Sequence, residues 1–220
     1  MRRPMVWMLA VVLLIVLGAA APAAARRKEK IAPAAGWLIP AATLTGLGLN
    51  LTQAPNAQFT PNTRTECAAF SAAVAAARAI TTSFAYQYWS AGTQDIFDEA
   101  VFVLPNQKAA KDLFKPYKDV TAAKACFGSQ FASAPGSSVT TTVAVQPQTV
   151  KVPGANDVAS DLINIMFATS RGTFQLQAQT LALRYKTGVV DSFILTPPTA
   201  FTAASTAITQ AIKKDIAQMG

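Results

Sequence analysis

The chain has 220 residues, 51% of them hydrophobic, a formal charge of +8, two cysteines and no histidine. Without histidine there is no Ser-His-Asp triad, no Cys-His pair and no imidazole-ligated metal. G-x-S-x-G, S-x-x-K and a Gly-rich phosphate loop are also missing, so an activated serine or a bound nucleotide has no local signature.

The chain opens MRRPMVWMLAVVLLIVLGAAAPAAARRKEK. Arg2 and Arg3 precede an apolar run from about Met5 to Ala20, and Ala23 and Ala25 have the spacing a signal peptidase accepts. Residues 1–25 are therefore expected to be an export signal. An uncleaved anchor is the competing expectation, and would be the chain's one tie to a membrane; the run is shorter than the ~20 residues that cross a bilayer comfortably. Residues 26–36 read as a basic linker, followed by one domain over residues 37–220. Removing Arg2 and Arg3 from the 19 basic residues leaves 17 against 11 acidic ones, and +3 of that excess sits in RRKEK, residues 26–30. The other basic residues are scattered, so no groove for nucleic acid is expected. RRKEK is either a solvated linker or a point of attraction to anionic envelope polymers.

Outside the cytoplasm no thiol buffer keeps lone cysteines reduced. Cys67 and Cys126 are accordingly expected to form a disulfide. Metal is the weaker reading, since CxxC is missing along with histidine, and no cofactor is expected.

From Ile31 to Thr60 the sequence is rich in Pro, Gly, Ala and Asn, with a short helix expected near Pro40 to Leu47. TRTECAAFSAAVAAARAITTSF places Cys67, Phe70, Val74, Ala77 and Ile80 on one helical stripe. FAYQYWSAGTQDIFDEAVFVLP reads as two strands around Gly92. NQKAAKDLFK follows as a helix that Pro116 interrupts, and DVTAAKACF as another that ends at Cys126 before Gly128. After the APGSS loop, SVTTTVAVQ alternates as a strand with Val139, Val143 and Val145 on one face. LINIMFAT, TFQLQAQTLALRY and VVDSFIL form a three-strand meander with Gly172 and Gly188 in its turns. In its middle strand Phe174, Leu176 and Ala178 alternate with Gln175, Gln177 and Gln179. A closing helix carries the stripe Phe201, Ser205, Ile208, Ile212, Ile216 and Met219. The expected fold is α+β, an antiparallel sheet of about five to six strands with helices packed on one face.

The cysteine in an Ala-rich segment, the strand ending VFVLP, the helix NQKAAKDLF, the second cysteine some residues later and the final meander with its helix resemble the extracellular sensor domains of mycobacterial serine/threonine kinases. Similar domains occur in secreted and lipid-anchored actinobacterial proteins without a kinase. The resemblance covers roughly residues 37 to 219. It implies a single α+β domain whose sheet is cupped by helices around a ligand cleft. Those sensors generally carry two disulfides and a tryptophan near the second cysteine, where this chain has TAAKAC.

Asp95, Asp98 and Glu99 in TQDIFDEA form the densest acidic group. They could serve a carboxylate hydrolase or calcium, and more plainly are charges at a solvated strand start. Asp157 and Asp161 read as loop and cap residues. Tyr86, Tyr88 and Trp89 combine apolar rings with polar edges suited to a lipid, glycan or other small molecule. Alternation puts Phe84, Tyr86 and Tyr88 on one face and Trp89 on the other. Phe84 and Tyr86 are expected in the core, and Tyr88, Trp89 and Gln177 at a ligand. The expected function is an exported, extracytoplasmic, non-catalytic binding or sensing domain of the cell envelope. The alternatives are a secreted hydrolase and a structural protein that contacts an envelope protein.

Overall fold

The computed structural model describes residues 32–133 and 137–218; the expected export signal, the basic stretch 26–30 and Met219 lie outside the described residues. A turn of 3-10 helix (Ala34–Trp37) and α1 (Ala41–Thr45) lead to a two-residue strand, β1 (Thr52–Gln53). Then come α2 (Ala68–Ile80), β2 (Ser83–Ala91), β3 (Asp95–Val103), α3 (Gln107–Lys118) and α4 (Val120–Gln130). The chain finishes with β4 (Thr140–Pro147), β5 (Asp157–Thr169), β6 (Gly172–Tyr185), β7 (Gly188–Thr196) and α5 (Pro198–Gln218).

The strands form one antiparallel sheet of seven, ordered β1-β2-β3-β7-β6-β5-β4. The count is one above the expected range because β1, with two residues, is too short to show a period. Helices cover both faces, not one. In β3, Phe97, Val101 and Val103 join a core with Trp37, Ile39 and α5, while Ala100 and Phe102 join another with Val74, Leu113 and Phe114. A strand apolar on both faces needs a cover on each. The linker expected to reach residue 36 joins the body earlier: Ala34 is fully buried and its N–H donates to Ser83 Oγ at 3.0 Å.

Local chemistry sets the helix ends. Asn106 caps α3 by accepting from the Ala109 N–H, and Asp119 caps α4 by accepting from the Thr121 and Ala122 N–H groups. Pro116 sits inside the last turn of α3, and α4 runs through Gly128 to Gln130, so neither residue stops its helix where expected. Ile80, expected on the buried stripe of α2, is 51% exposed. Among the described residues no helix is long and apolar enough to cross a membrane.

Gly188 opens β7 directly beneath the Trp37 ring, and a Cβ there would collide with that ring. Trp37 cannot swing aside, since it is buried and packs on Tyr185 at 5.9 Å. Gly188→Ala is expected to destabilise the fold by about 1–3 kcal/mol through overpacking. Denaturant unfolding measures it, and the paired change Gly188→Ala with Trp37→Leu should cost less than the sum of the two single losses, since the smaller side chain removes the collision.

Candidate functional site

Cys67, at the start of α2, is joined to Cys126 of α4, with their Cα atoms 4.5 Å apart. The bond ties two helices together over one face of the sheet. Between these helices and the strands lies a cleft of about 470 Å³. Its walls include Phe59, Phe70, Tyr117, Phe127 and Phe131, and its floor is Tyr88, Ile96, Asp98, Thr180, Asp191 and Phe193. Strand register builds that floor. Tyr88 pairs with Asp98, Asp98 with Phe193, and Phe193 with Thr180, so the four side chains form one rung on one face. Asp191 stands one rung along on the same face, opposite Ala100.

The floor is electrostatically loaded. Burial first, then the charges of Asp191 and Glu99, push the Asp98 carboxyl up to about 8. Its side chain keeps a wet side toward the cleft, which tempers that shift. Burial pushes Asp191 up to about 6, although the Tyr117 hydroxyl donates to its Oδ2 at 2.6 Å and pulls the other way. The Tyr117 hydroxyl is itself held well above its ordinary range, by burial and then by Asp191.

The acidic group in TQDIFDEA is divided by alternation. Asp98 faces the cleft; Glu99 points to the opposite face, fully buried, where its Oε2 accepts from the Ile39 N–H at 2.8 Å and from Gln87 Nε2 at 2.7 Å. Burial pushes Glu99 up to about 7 against those two bonds. Asp95, at the strand end, accepts from the Thr196 hydroxyl at 2.6 Å. Asp98 is joined instead by Asp191, a lone charge in the apolar strand VVDSFIL, which was the available signal for it. Asp157 and Asp161 lie within β5, not in a loop; Asp157 pairs with Lys118 and Arg184, and Asp161 is buried.

Of the expected ligand residues the structure brings one, Tyr88, to the cleft. Trp89 lies on the other face, 5% exposed, in the core beneath α5, with its indole N–H donating to Gln87 Oε1 at 3.0 Å. Gln177 shares that face, half-buried, and its amide donates to Asn164 Oδ1 at 2.8 Å. Phe84 and Tyr86 pack around Phe59 at 5.9 and 5.5 Å.

No family model and no curated protein matches the sequence. Among solved structures the chain is similar to the extracellular domain of PknH from Mycobacterium tuberculosis, at a TM-score of 0.50 and 10% sequence identity. The match covers 86% of this chain and 99% of that one. The two share a fold at a distance.

Because these carboxyls hold protons in the fold that they release in the unfolded chain, the folded state binds more protons and stability falls as pH rises. The loss starts above the ordinary carboxylate range and runs through about 7 for Glu99 and about 8 for Asp98. The melting temperature is expected to decline between about pH 5 and about pH 8.5, less steeply in Asp98→Asn, where one of the titrating groups is gone. A pH series of calorimetric scans on both proteins measures the two slopes. The two neighbours on β2 should also part company: Trp89→Ala is expected to cost about 3–5 kcal/mol by emptying core volume, and Tyr88→Ala about 1 kcal/mol or less. Urea titration of the two variants provides both figures.

Proposed function

We propose that the chain is an exported, non-catalytic domain of the cell envelope that binds a ligand in the cleft between α2, α4 and the sheet. The observation that carries this reading is the floor. Tyr88, Asp98, Thr180 and Asp191 place polar groups at the bottom of an aromatic-walled concavity, on a sheet face that helices otherwise pack. Ligand sites are built this way, with apolar walls for area and a few polar groups for orientation. A location outside the cytoplasm is supported by the joined cysteines and by the fold likeness to a domain that is extracellular. The ligand is a small molecule, a lipid or a glycan.

One observation favours a second reading, a hydrolase that uses carboxylates. Asp98 and Asp191 converge in the cleft and are held at different protonation levels, as a general acid and its partner must be.

Native mass spectrometry of the protein purified from its own host decides between them. A bound molecule retained by the wild type and lost in Tyr88→Ala, with the melting temperature kept, is the expected result. Hydrolysis of chromogenic glycosides or esters that Asp98→Asn abolishes, with no retained molecule, would put the hydrolase in its place.

A further inference from the structure

The cleft offers more than a generic concavity. On its floor the Asp98 carboxyl stands between two aromatic neighbours on the adjoining strands, Tyr88 on one side and Phe193 on the other. Across from them Phe70 meets Tyr117 edge-on, with ring centroids 5.0 Å apart and planes at 90°, so the rings form the sides of a box and not a flat platform. No group among the described residues donates a hydrogen bond to Asp98, and the second carboxyl, Asp191, adds negative potential beside it. The cation among the lining residues is Arg64, exposed at the rim.

We propose, resting on the reading of the cleft as a ligand site, that the ligand carries an organic ammonium group, with Asp98 as its counter-ion and the rings of Tyr88, Phe193, Phe70 and Tyr117 as its walls. The choice follows from what each ligand class does to the floor. An anion meets the charge of Asp191. A neutral glycan can exchange hydrogen bonds with the two carboxyls but compensates no charge. An ammonium group compensates the charge of Asp191, lets Asp98 ionise beside it and meets the negative faces of the surrounding rings. The titratable groups facing Asp98 are Asp191, Tyr86, Tyr88 and Tyr117, with Arg64 at the rim and Glu99 behind the strand. None of them supplies positive charge within the cleft.

The test is calorimetric titration of the full chain with choline and with 3,3-dimethylbutanol, which has the same shape without the charge. Choline is expected to bind at least about tenfold more tightly, and Asp98→Asn to bring the two affinities together. At neutral pH wild-type binding is expected to release up to about one proton, read from titrations in buffers of different ionisation enthalpy, as Asp98 ionises beside the cation. Should Asp98→Asn fail to fold, Phe193→Leu tests the same point: the ratio of choline affinity to uncharged-probe affinity is expected to fall, because leucine keeps apolar contact and loses the ring face. Equal affinity of the wild type for both probes overturns the ammonium and leaves the cleft as a site for a neutral ligand. Binding of neither probe at millimolar concentration overturns it as well, and the ligand-site reading then stands or falls on the retained-molecule measurement alone.

Discussion

Two adjacent carboxyls, Asp98 and Glu99, lie on an inner strand that is covered on both faces, and much of the architecture follows from where each finds partners. Neighbouring residues on a strand point to opposite faces, so each layer of helices meets one of the two charges. On one face Glu99 finds two donors for its Oε2, one from main chain and one from Gln87, while its buried Oε1 has none among the described residues. It holds the Ile39 N–H, Gln87 holds the Ile39 carbonyl at 3.0 Å, and Gln87 in turn accepts from Trp89. This network fixes the leading segment over the sheet, and Trp37, Ile39 and Leu44 complete the core that α5 begins. On the other face Asp98 has no such donor. A helix closing over it would seal an unpaired carboxyl from water, at a cost of several kcal/mol. The cover opens there instead, and the opening is the cleft.

An open cover needs another means of holding its shape, since the helices around the gap cannot rest on the strands across it. The Cys67–Cys126 bond supplies that means by joining the start of α2 to α4 at the cleft wall. Closing a loop of this sequence separation, 59 residues, restricts the unfolded chain by about 4 kcal/mol in the chain-entropy model, a large part of a domain's net stability. Aromatic contacts finish the wall, with Phe70 against Tyr117 at 5.0 Å and against Phe127 at 5.6 Å. The rings that would line a ligand are therefore also the rings that hold the wall together.

The elements were legible where period and punctuation agree. The meander β5-β6-β7 has long alternating runs and short turns, and α3 has an Asn cap and a clean apolar stripe. The two-sided cover was hidden because the wet positions of the alternation, Gln175 and Gln177, belong to the half-open end of β6; past them, Ala178 to Tyr185 are buried on both sides, Gln179 among them. Alternation separates Tyr88 from Trp89, but a period carries no sign. It does not say which face packs under α5 and which opens into the cleft, and Trp89 went to the core for that reason. The joining of Tyr117 to Asp191 spans 74 residues of sequence and two elements, so no local pattern encodes it. Asp191 was visible only as a charge out of place in an apolar strand.

The two faces of β3 are not electrically independent. Glu99 is among the charges that raise Asp98, although its carboxyl lies on the far side of the strand. Linkage makes that coupling mutual: a positive charge that lowers the cost of ionising Asp98 changes the balance that Glu99 strikes between burial and its two hydrogen bonds. One of those bonds is the contact that fixes Ile39 and, with it, the segment leading into the domain. Burial comes first for both groups, Asp191 comes before Glu99 among the charges that raise Asp98, and the charge that raises Glu99 itself is Asp215 of α5, so each carboxyl answers chiefly to its own face of the sheet.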